Sequence, residues 1–234
     1  MTFTRKTDGI DDVLANDVNE LQQALEDGWT PVTATWTRTA NHAFAVSGDV
    51  TATYAPGVKV RYKDGGAFEY GVIASSTHAA GTTTVTLITN SDYAMADATI
   101  TDRWLGRANL PAGWPDWFNY APAQTGFSTA PAGGIYRWRA DGRRVEVVIR
   151  QPANGTSDAT TFTIATPAAA RTITNAIWRA TCSYIDNTTA ATTYGAIQIA
   201  SAATVIDVFT NATTGAWTDS GGKRVIFGMI VYEI

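Results

Sequence analysis

The chain of 234 residues has one cysteine, Cys182, two histidines, His42 and His78, and few charges: 16% of residues are Asp, Glu, Lys or Arg. Each shortage excludes something. One cysteine forbids an intrachain disulfide, and a lone Cys in strand-like sequence reads as a small buried hydrophobe. Two histidines exclude a His-rich metal site, and mixed sites lack cysteine support. Soluble domains usually carry ~25% charged residues. The lower value here suits packed sheets with neutral, Thr-rich faces, or a surface covered in an oligomer. The net charge of −4 argues against a general nucleic-acid binder, which carries a basic field. No run of about 18 apolar residues exists, so no membrane insertion is expected. No basic-then-apolar leader opens the sequence. Synthesis in a cytoplasm is therefore expected, with release by a route such as lysis if the protein works outside the cell.

Against these absences stands one clear helical pattern, Ile10–Glu26. Its apolar residues Leu14, Val18, Leu21 and Leu25 step by four, three and four. That narrow seam suits a short coiled coil rather than a helix lying on its own domain. Asp8 is placed to cap the start, Asp11 and Asp12 sit where the helix dipole favours negative charge, and Gly28 is placed to end it. A helix this short is marginal alone, so the expected partners are copies of itself. The alternative is a helix docked on its own β domain.

After residue 28 the texture is strand and turn. Residues 29–107 read as a small antiparallel β-barrel or sandwich. Val58, Val60 and Tyr62 alternate with Lys59, Arg61 and Lys63, which predicts a half-buried strand. Asp64-Gly65-Gly66 turns the chain into Phe68, Tyr70, Val72 and Ala74. Strands are also predicted at Thr33–Thr39, Val50–Tyr54 and Thr83–Thr89. Trp36 and Trp104 read as core or domain-interface residues. Residues 108–134 form a Pro/Gly-rich connector that also holds Trp114, Trp117, Phe118, Tyr120 and Phe127. Flexible linkers are poor in aromatics, so this one is expected to be ordered against a surface.

Residues 135–234 read as a C-terminal β-sandwich head. Asp141-Gly142 predicts a two-residue hairpin loop pairing Ala140 with Arg143, Trp138 with Val145 and Tyr136 with Val147. That register sets Arg139 opposite Arg144, eased by Glu146. Further strands are predicted at Thr160–Ala165, Ala176–Tyr184, Tyr194–Ile199 and Val205–Thr210. In the last, Arg224–Ile234 (RVIFGMIVYEI), both faces are apolar, so it is expected to be buried on both sides, in a sandwich centre or against an oligomer axis.

The opening TRKTDGIDDVLANDVNELQQALE resembles the N-terminal segment of tail-fibre and related virion proteins of tailed bacteriophages and prophages. The stretch PGVKVRYKDGGAFEYGVIASSTHAAGTTTVTLI, followed by LPAGWPDWFNYAP, is similar to a β module of such proteins. Together these cover roughly the first half of the chain. The C-terminal part resembles the jelly-roll heads that cap trimeric fibres. The resemblance implies a homotrimer, a virion location, attachment to other tail proteins through the N-terminal region, and a role in host attachment. The chain departs from long fibre proteins in having no extended shaft, which implies a short fibre, a tip or a small decoration protein.

Enzymes leave constellations of residues, and none stands out. No GxSxG elbow, no phosphate-binding glycine loop and no Ser–His–Asp order is present. Both histidines read as loop or surface residues. Asp92, Asp97, Asp102, Asp116, Asp141 and Glu146 could supply a glycosidase pair, yet most lie in turn-like sequence, where Asp is favoured anyway. No cofactor is expected. Trp114, Trp117 and Tyr120 are the candidate ligand-binding residues, since flat apolar rings stack on sugar faces. The alternative is that they pack between β domains or subunits. Arg137, Arg139, Arg144 and Arg150 either meet acidic polymers or form the wet face of a hairpin. The expectation is a trimeric, non-enzymatic tail protein binding a host-surface glycan or protein, without nucleic acid. A carbohydrate-binding or glycan-depolymerising module and a purely structural spacer are the alternatives.

Overall fold

The computed structural model describes residues 27–234. These are mainly β, with antiparallel pairing throughout and no helix among the described residues. The helix expected over Ile10–Glu26, with its seam at Leu14, Val18, Leu21 and Leu25, lies outside the described residues. The chain forms two compact units. The first holds Tyr93–Pro115 and the described residues up to Ile88; the second holds Thr89–Asp92 and Asp116–Ile234.

Seven strands build the first unit: β1 (Trp29–Pro31), β2 (Thr37–Ala40), β3 (Ala43–Ser47), β4 (Lys59–Lys63), β5 (Phe68–Ala79), β6 (Thr82–Leu87) and β7 (Thr101–Gly106). They form one sheet in the order β1-β7-β4-β5-β6-β3-β2. Strand β5 is long because it serves two partners: its first half pairs with β4 and its second with β6, with a register shift between Ile73 and Ser75. The shift bends the sheet around one core that includes Trp36, Phe44, Tyr54, Val60, Tyr62, Ile73, Val85 and Leu105. Trp36 lies at its centre, stacked on Phe44 at 4.2 Å and donating its indole N–H to the Tyr54 hydroxyl at 2.8 Å. Burial raises the Tyr54 and Tyr62 phenols above their ordinary values.

Two local expectations need correction in this unit, and His42 lies in a turn, as expected, but buried. Val50–Tyr54 is a turn, not a strand, because the Asp49 carboxylate accepts from the Thr51 backbone N–H and hydroxyl and starts a tight turn. Lys59, expected on a wet face, is 3% exposed and donates to the Ala108 carbonyl at 3.2 Å.

The second unit adds β8 (Phe118–Asn119), β9 (Gln124–Thr125), β10 (Phe127–Thr129), β11 (Ile135–Asp141), β12 (Arg144–Arg150), β13 (Gly155–Ser157) and β14 (Thr163–Ala165). It continues with β15 (Ile177–Asp186), β16 (Thr189–Ala190), β17 (Gly195–Ala200), β18 (Val205–Phe209) and β19 (Gly222–Glu233). The main path runs β8-β11-β12-β19-β15-β17-β18-β14-β9, with β13 and β10 continuing from β19 and β16 beside β15. Buried Trp138, Val147, Ile149, Phe162, Ile197, Ile206, Trp217 and Tyr232 line the inner side. The segment expected as a connector contributes β8, β9 and β10.

The β11–β12 hairpin forms where expected, in a different register. Asp141 pairs with Arg144, Trp138 with Val147 and Tyr136 with Ile149, so the loop is Gly142-Arg143. Gly142 takes φ 55°, as the first central position of a type II′ turn requires. The electrostatic gain is direct. Arg139 now faces Glu146 instead of Arg144, and the pair bonds at 2.8 Å.

Among the described residues of the single chain, strand β19 is packed on one face only. Val225, Gly228, Ile230 and Tyr232 point inward, whereas Phe227 is 50% and Met229 44% exposed on the other face. Among the described residues, no second layer covers that side of the strand.

Candidate functional site

The three aromatic candidates of residues 108–134 fall in different surroundings. Trp114 belongs to the first unit, its ring 6.0 Å from both Trp29 and Tyr70, with the Lys59 ammonium 5.5 Å away. Trp117 belongs to the second unit, where the Arg139 guanidinium lies 4.8 Å over its ring. Tyr120 is buried there, edge-on to Tyr136 at 6.1 Å. Burial raises its phenol well above the ordinary range, and its hydroxyl has no hydrogen-bond partner.

Trp114 leads to a larger constellation on the face of the first sheet that lies opposite its core. Strand pairing sets Pro31, Trp104, Arg61 and Tyr70 in one row across β1, β7, β4 and β5. The neighbouring row is Trp29, Gly106, Lys59 and Val72. Gly106 makes room for Trp29: a Cβ there would lie 3.0 Å from the indole and from Pro111. Arg61 sits amid the rings. Its guanidinium carbon is 4.8 Å from Trp29, 4.6 Å from Phe68 and 4.8 Å from Trp104. Such stacking stabilises a cation by ~0.5–2 kcal/mol per ring, more as water is excluded. Burial nonetheless depresses the Arg61 pKa below its usual value, opposed by the fields of Tyr70 and Asp27. Phe68, Tyr70, Tyr93, Trp104 and Trp114 are each half-buried. Tyr70 meets Tyr93 edge-on at 5.3 Å.

The carboxylates considered for catalysis take structural positions. Asp92 accepts from the Asn119 backbone and side chain at 2.6 and 3.1 Å. Asp97 pairs with Arg38 at 3.2 Å and Asp102 with Lys63 at 3.1 Å. Glu146 pairs with Arg139. Asp116 is exposed, and Asp141 lies beside the hairpin loop. Among the described residues, no group of three His, Cys, Asp or Glu side chains is placed to hold a metal ion.

The second feature is the open face of β15 and β19. Phe227, Met229 and Tyr194 border a shallow depression with Ala180, Cys182 and Ser183. Tyr194 is 72% exposed. Among the described residues, six of the seven exposed large hydrophobic side chains belong to the second unit: Ile135, Ile173, Ile177, Tyr194, Phe227 and Met229. Soluble monomers rarely expose contiguous apolar patches of large area, which makes the strip of Tyr194, Phe227 and Met229 a candidate interaction surface.

Reasoning from sequence missed Arg61 and Trp104. Arg61 read as one of three wet cations in an alternating strand. The Asp64-Gly65-Gly66 turn carried a usable signal, since it fixes Arg61 opposite Tyr70. Pairing with Trp104 joins positions 43 apart, and no local pattern announces it.

No family model, curated protein or solved structure matches the chain.

Proposed function

We propose that the chain is a non-enzymatic structural and receptor-binding protein of a bacteriophage tail, acting as a homotrimer. In this reading the N-terminal region joins the trimer to other tail proteins. The C-terminal unit is a jelly-roll-like head that meets a glycan or protein on the host surface. The observation that carries the reading is the open apolar face of β19, where Phe227 and Met229 stand half-exposed on a strand whose other side is fully packed. Copies arranged around an axis would cover that face. Three heads on one axis then raise apparent affinity without strengthening any single contact. The narrow Leu14–Val18–Leu21–Leu25 seam supports the same threefold assembly from the other end of the chain.

Light scattering on the full chain over a range of concentrations is the test. The expected result is a stable mass of three chains, and that species should bind bacterial cells without releasing sugar. A monomer at every concentration overturns the assembly. Release of sugar from host envelope material would replace this reading with a depolymerising module.

A further inference from the structure

We propose that the outer face of β7, β4 and β5 is a binding site for an acidic saccharide, with the Arg61 fork taking a uronate carboxylate and the neighbouring rings taking the sugar. The proposal is independent of the tail reading, because it rests only on the geometry of this face.

Among the described residues Arg61 is a fixed cation without an acceptor. It makes no hydrogen bond and no ion pair with them, and its Nε is shut from solvent with nothing to donate to. Three rings hold the guanidinium in place. Arginine is suited to such a position, since its planar fork stacks on aromatics and still presents parallel N–H groups to a planar carboxylate. Because the rings fix the fork beforehand, little side-chain freedom is lost on binding.

Trp104 holds the fork from the facing strand, its ring 4.8 Å from the guanidinium carbon. It sits directly opposite Arg61 across the strand pair, and its indole N–H is also buried without a partner. Buried donors left unpaired are costly, and native structures contain few. Both nitrogens lie beneath the surface, so an acidic sugar would meet the terminal N–H groups of Arg61 and the half-buried rings around them. A free inorganic anion would satisfy Arg61 and leave the rings of Tyr70 and Trp114 unused. A pyranose offers C–H faces to those rings.

The charge around the site agrees. Lys59, Arg61 and Lys63 share this face of β4, against Asp102, which pairs with Lys63, and Asp27, whose field reaches Arg61. An aromatic–arginine face also suits a single-stranded nucleic acid, but the chain's net charge of −4 opposes a polyanion that relies on a broad basic field.

The experiment is a tryptophan-fluorescence and calorimetric titration of the full chain with three probes: short oligogalacturonate, its methyl ester, and oligothymidylate. Saturable binding of the acid form is expected, with the ester weaker by roughly ten- to a hundredfold, the range for losing hydrogen bonds to a charged group. Arg61→Lys, which keeps the charge and loses the fork, should weaken the acid form similarly. Trp104→Ala, which removes one of the three rings that hold the fork, should weaken it about tenfold. If either variant fails to fold by circular dichroism, the acid-versus-ester comparison on the unaltered chain still decides. No saturable binding of the acid at millimolar concentration overturns the proposal. So does equal binding of acid and ester, unchanged binding in a folded Arg61→Lys variant, or tighter binding of oligothymidylate.

Discussion

Gln151 donates its side-chain N–H to the Gln124 side-chain oxygen at 2.7 Å, joining the end of β12 to β9, the last strand of the path that runs through β19, β15, β17, β18 and β14. The contact curls the sheet back toward its own beginning. Gln151 is 1% exposed and fully engaged: it also donates to the Tyr136 hydroxyl at 2.9 Å and accepts from the Val225 backbone N–H at 2.7 Å. A single amide therefore ties β9, β11, β12 and β19 together.

Gln151→Leu fills similar volume while leaving the Val225 N–H, Gln124 and Tyr136 without that partner. Each buried group stranded this way costs ~1–3 kcal/mol. The expected outcome is a loss of about 2–5 kcal/mol in urea unfolding, since the terms share one network and do not simply add. A loss below ~1 kcal/mol would mean that water replaces the amide and that the sheet closes without it.

Lys223 is the other buried polar keystone of the second unit. It is fully buried, donates to the Ala159 and Thr161 carbonyls at 2.7 and 3.1 Å, and lies 5.1 Å from Phe127 and 5.9 Å from Trp217. Burial depresses its pKa from 10.5, opposed by Asp158 and Asp186. The depressed value means that the unfolded chain binds the proton more tightly. This group's contribution is thus complete above the unfolded value and declines as pH falls through the folded one. Lys223→Met should flatten that part of the stability–pH curve while stranding two carbonyls. Gly126→Ala should damage the same place from outside. Gly126 has φ +91°, and a Cβ there would collide with the Thr161 carbonyl that Lys223 bonds. Its cost should exceed ~1 kcal/mol, measured by thermal unfolding.

Much of this architecture is legible in the sequence where the cause is local. Val60 and Tyr62 alternate into the core, the Asp64-Gly65-Gly66 turn makes its hairpin, and Val85 and Leu87 face inward as their spacing predicts. The β11–β12 hairpin shows the limit. Its faces are readable from alternation, but its register depends on whether Asp141-Gly142 or Gly142-Arg143 forms the loop. The latter places Arg139 against Glu146 and avoids an Arg–Arg pair. Features made by distant strands are not legible. Gln151 and Arg61 have nothing distinctive beside them in sequence, and much of what surrounds them comes from strands tens of residues away. The open face of β19 is unreadable for another reason: apolar residues on both faces look the same whether the second face meets the chain's own layer or another molecule.

Cys182 gives a test of core integrity. Burial pushes its thiol from an ordinary 9.0 up to about 12. The folded chain should resist a thiol reagent at mildly alkaline pH, whereas the urea-unfolded chain should react at once. The raised value also has a thermodynamic sign. Between about 9 and 12 the folded state holds a proton that the unfolded state has lost, so stability falls as pH rises through that window. The slope approaches ~1.4 kcal/mol per pH unit. Cys182→Ala should remove that slope. Equal reactivity in folded and unfolded chains would show that the β15–β19 region opens readily.

The open face of β19 makes the sharpest prediction. Phe227 lies opposite Ser183 on β15, and Met229 opposite Val148 on β12. Both side chains are about half-exposed, so lysine at either position can extend into solvent without entering the core. Such surface changes usually alter the folding of one chain by no more than ~0.5 kcal/mol. In an assembly that covers this face the same changes remove about 1–2 kcal/mol of burial per side chain and bring like charges together. Every ~1.4 kcal/mol is a factor of ten in the association constant. The double variant Phe227→Lys, Met229→Lys should therefore scatter light at a lower mass than the unaltered chain while its circular dichroism and urea midpoint stay nearly unchanged. Phe227→Leu, which keeps an apolar surface, should retain the original mass. If the double lysine variant keeps the full mass, the strip is not a subunit contact, and assembly must rest on the N-terminal seam alone. Leu21→Asp then becomes the change that should dissociate it, because it puts a charge into that seam.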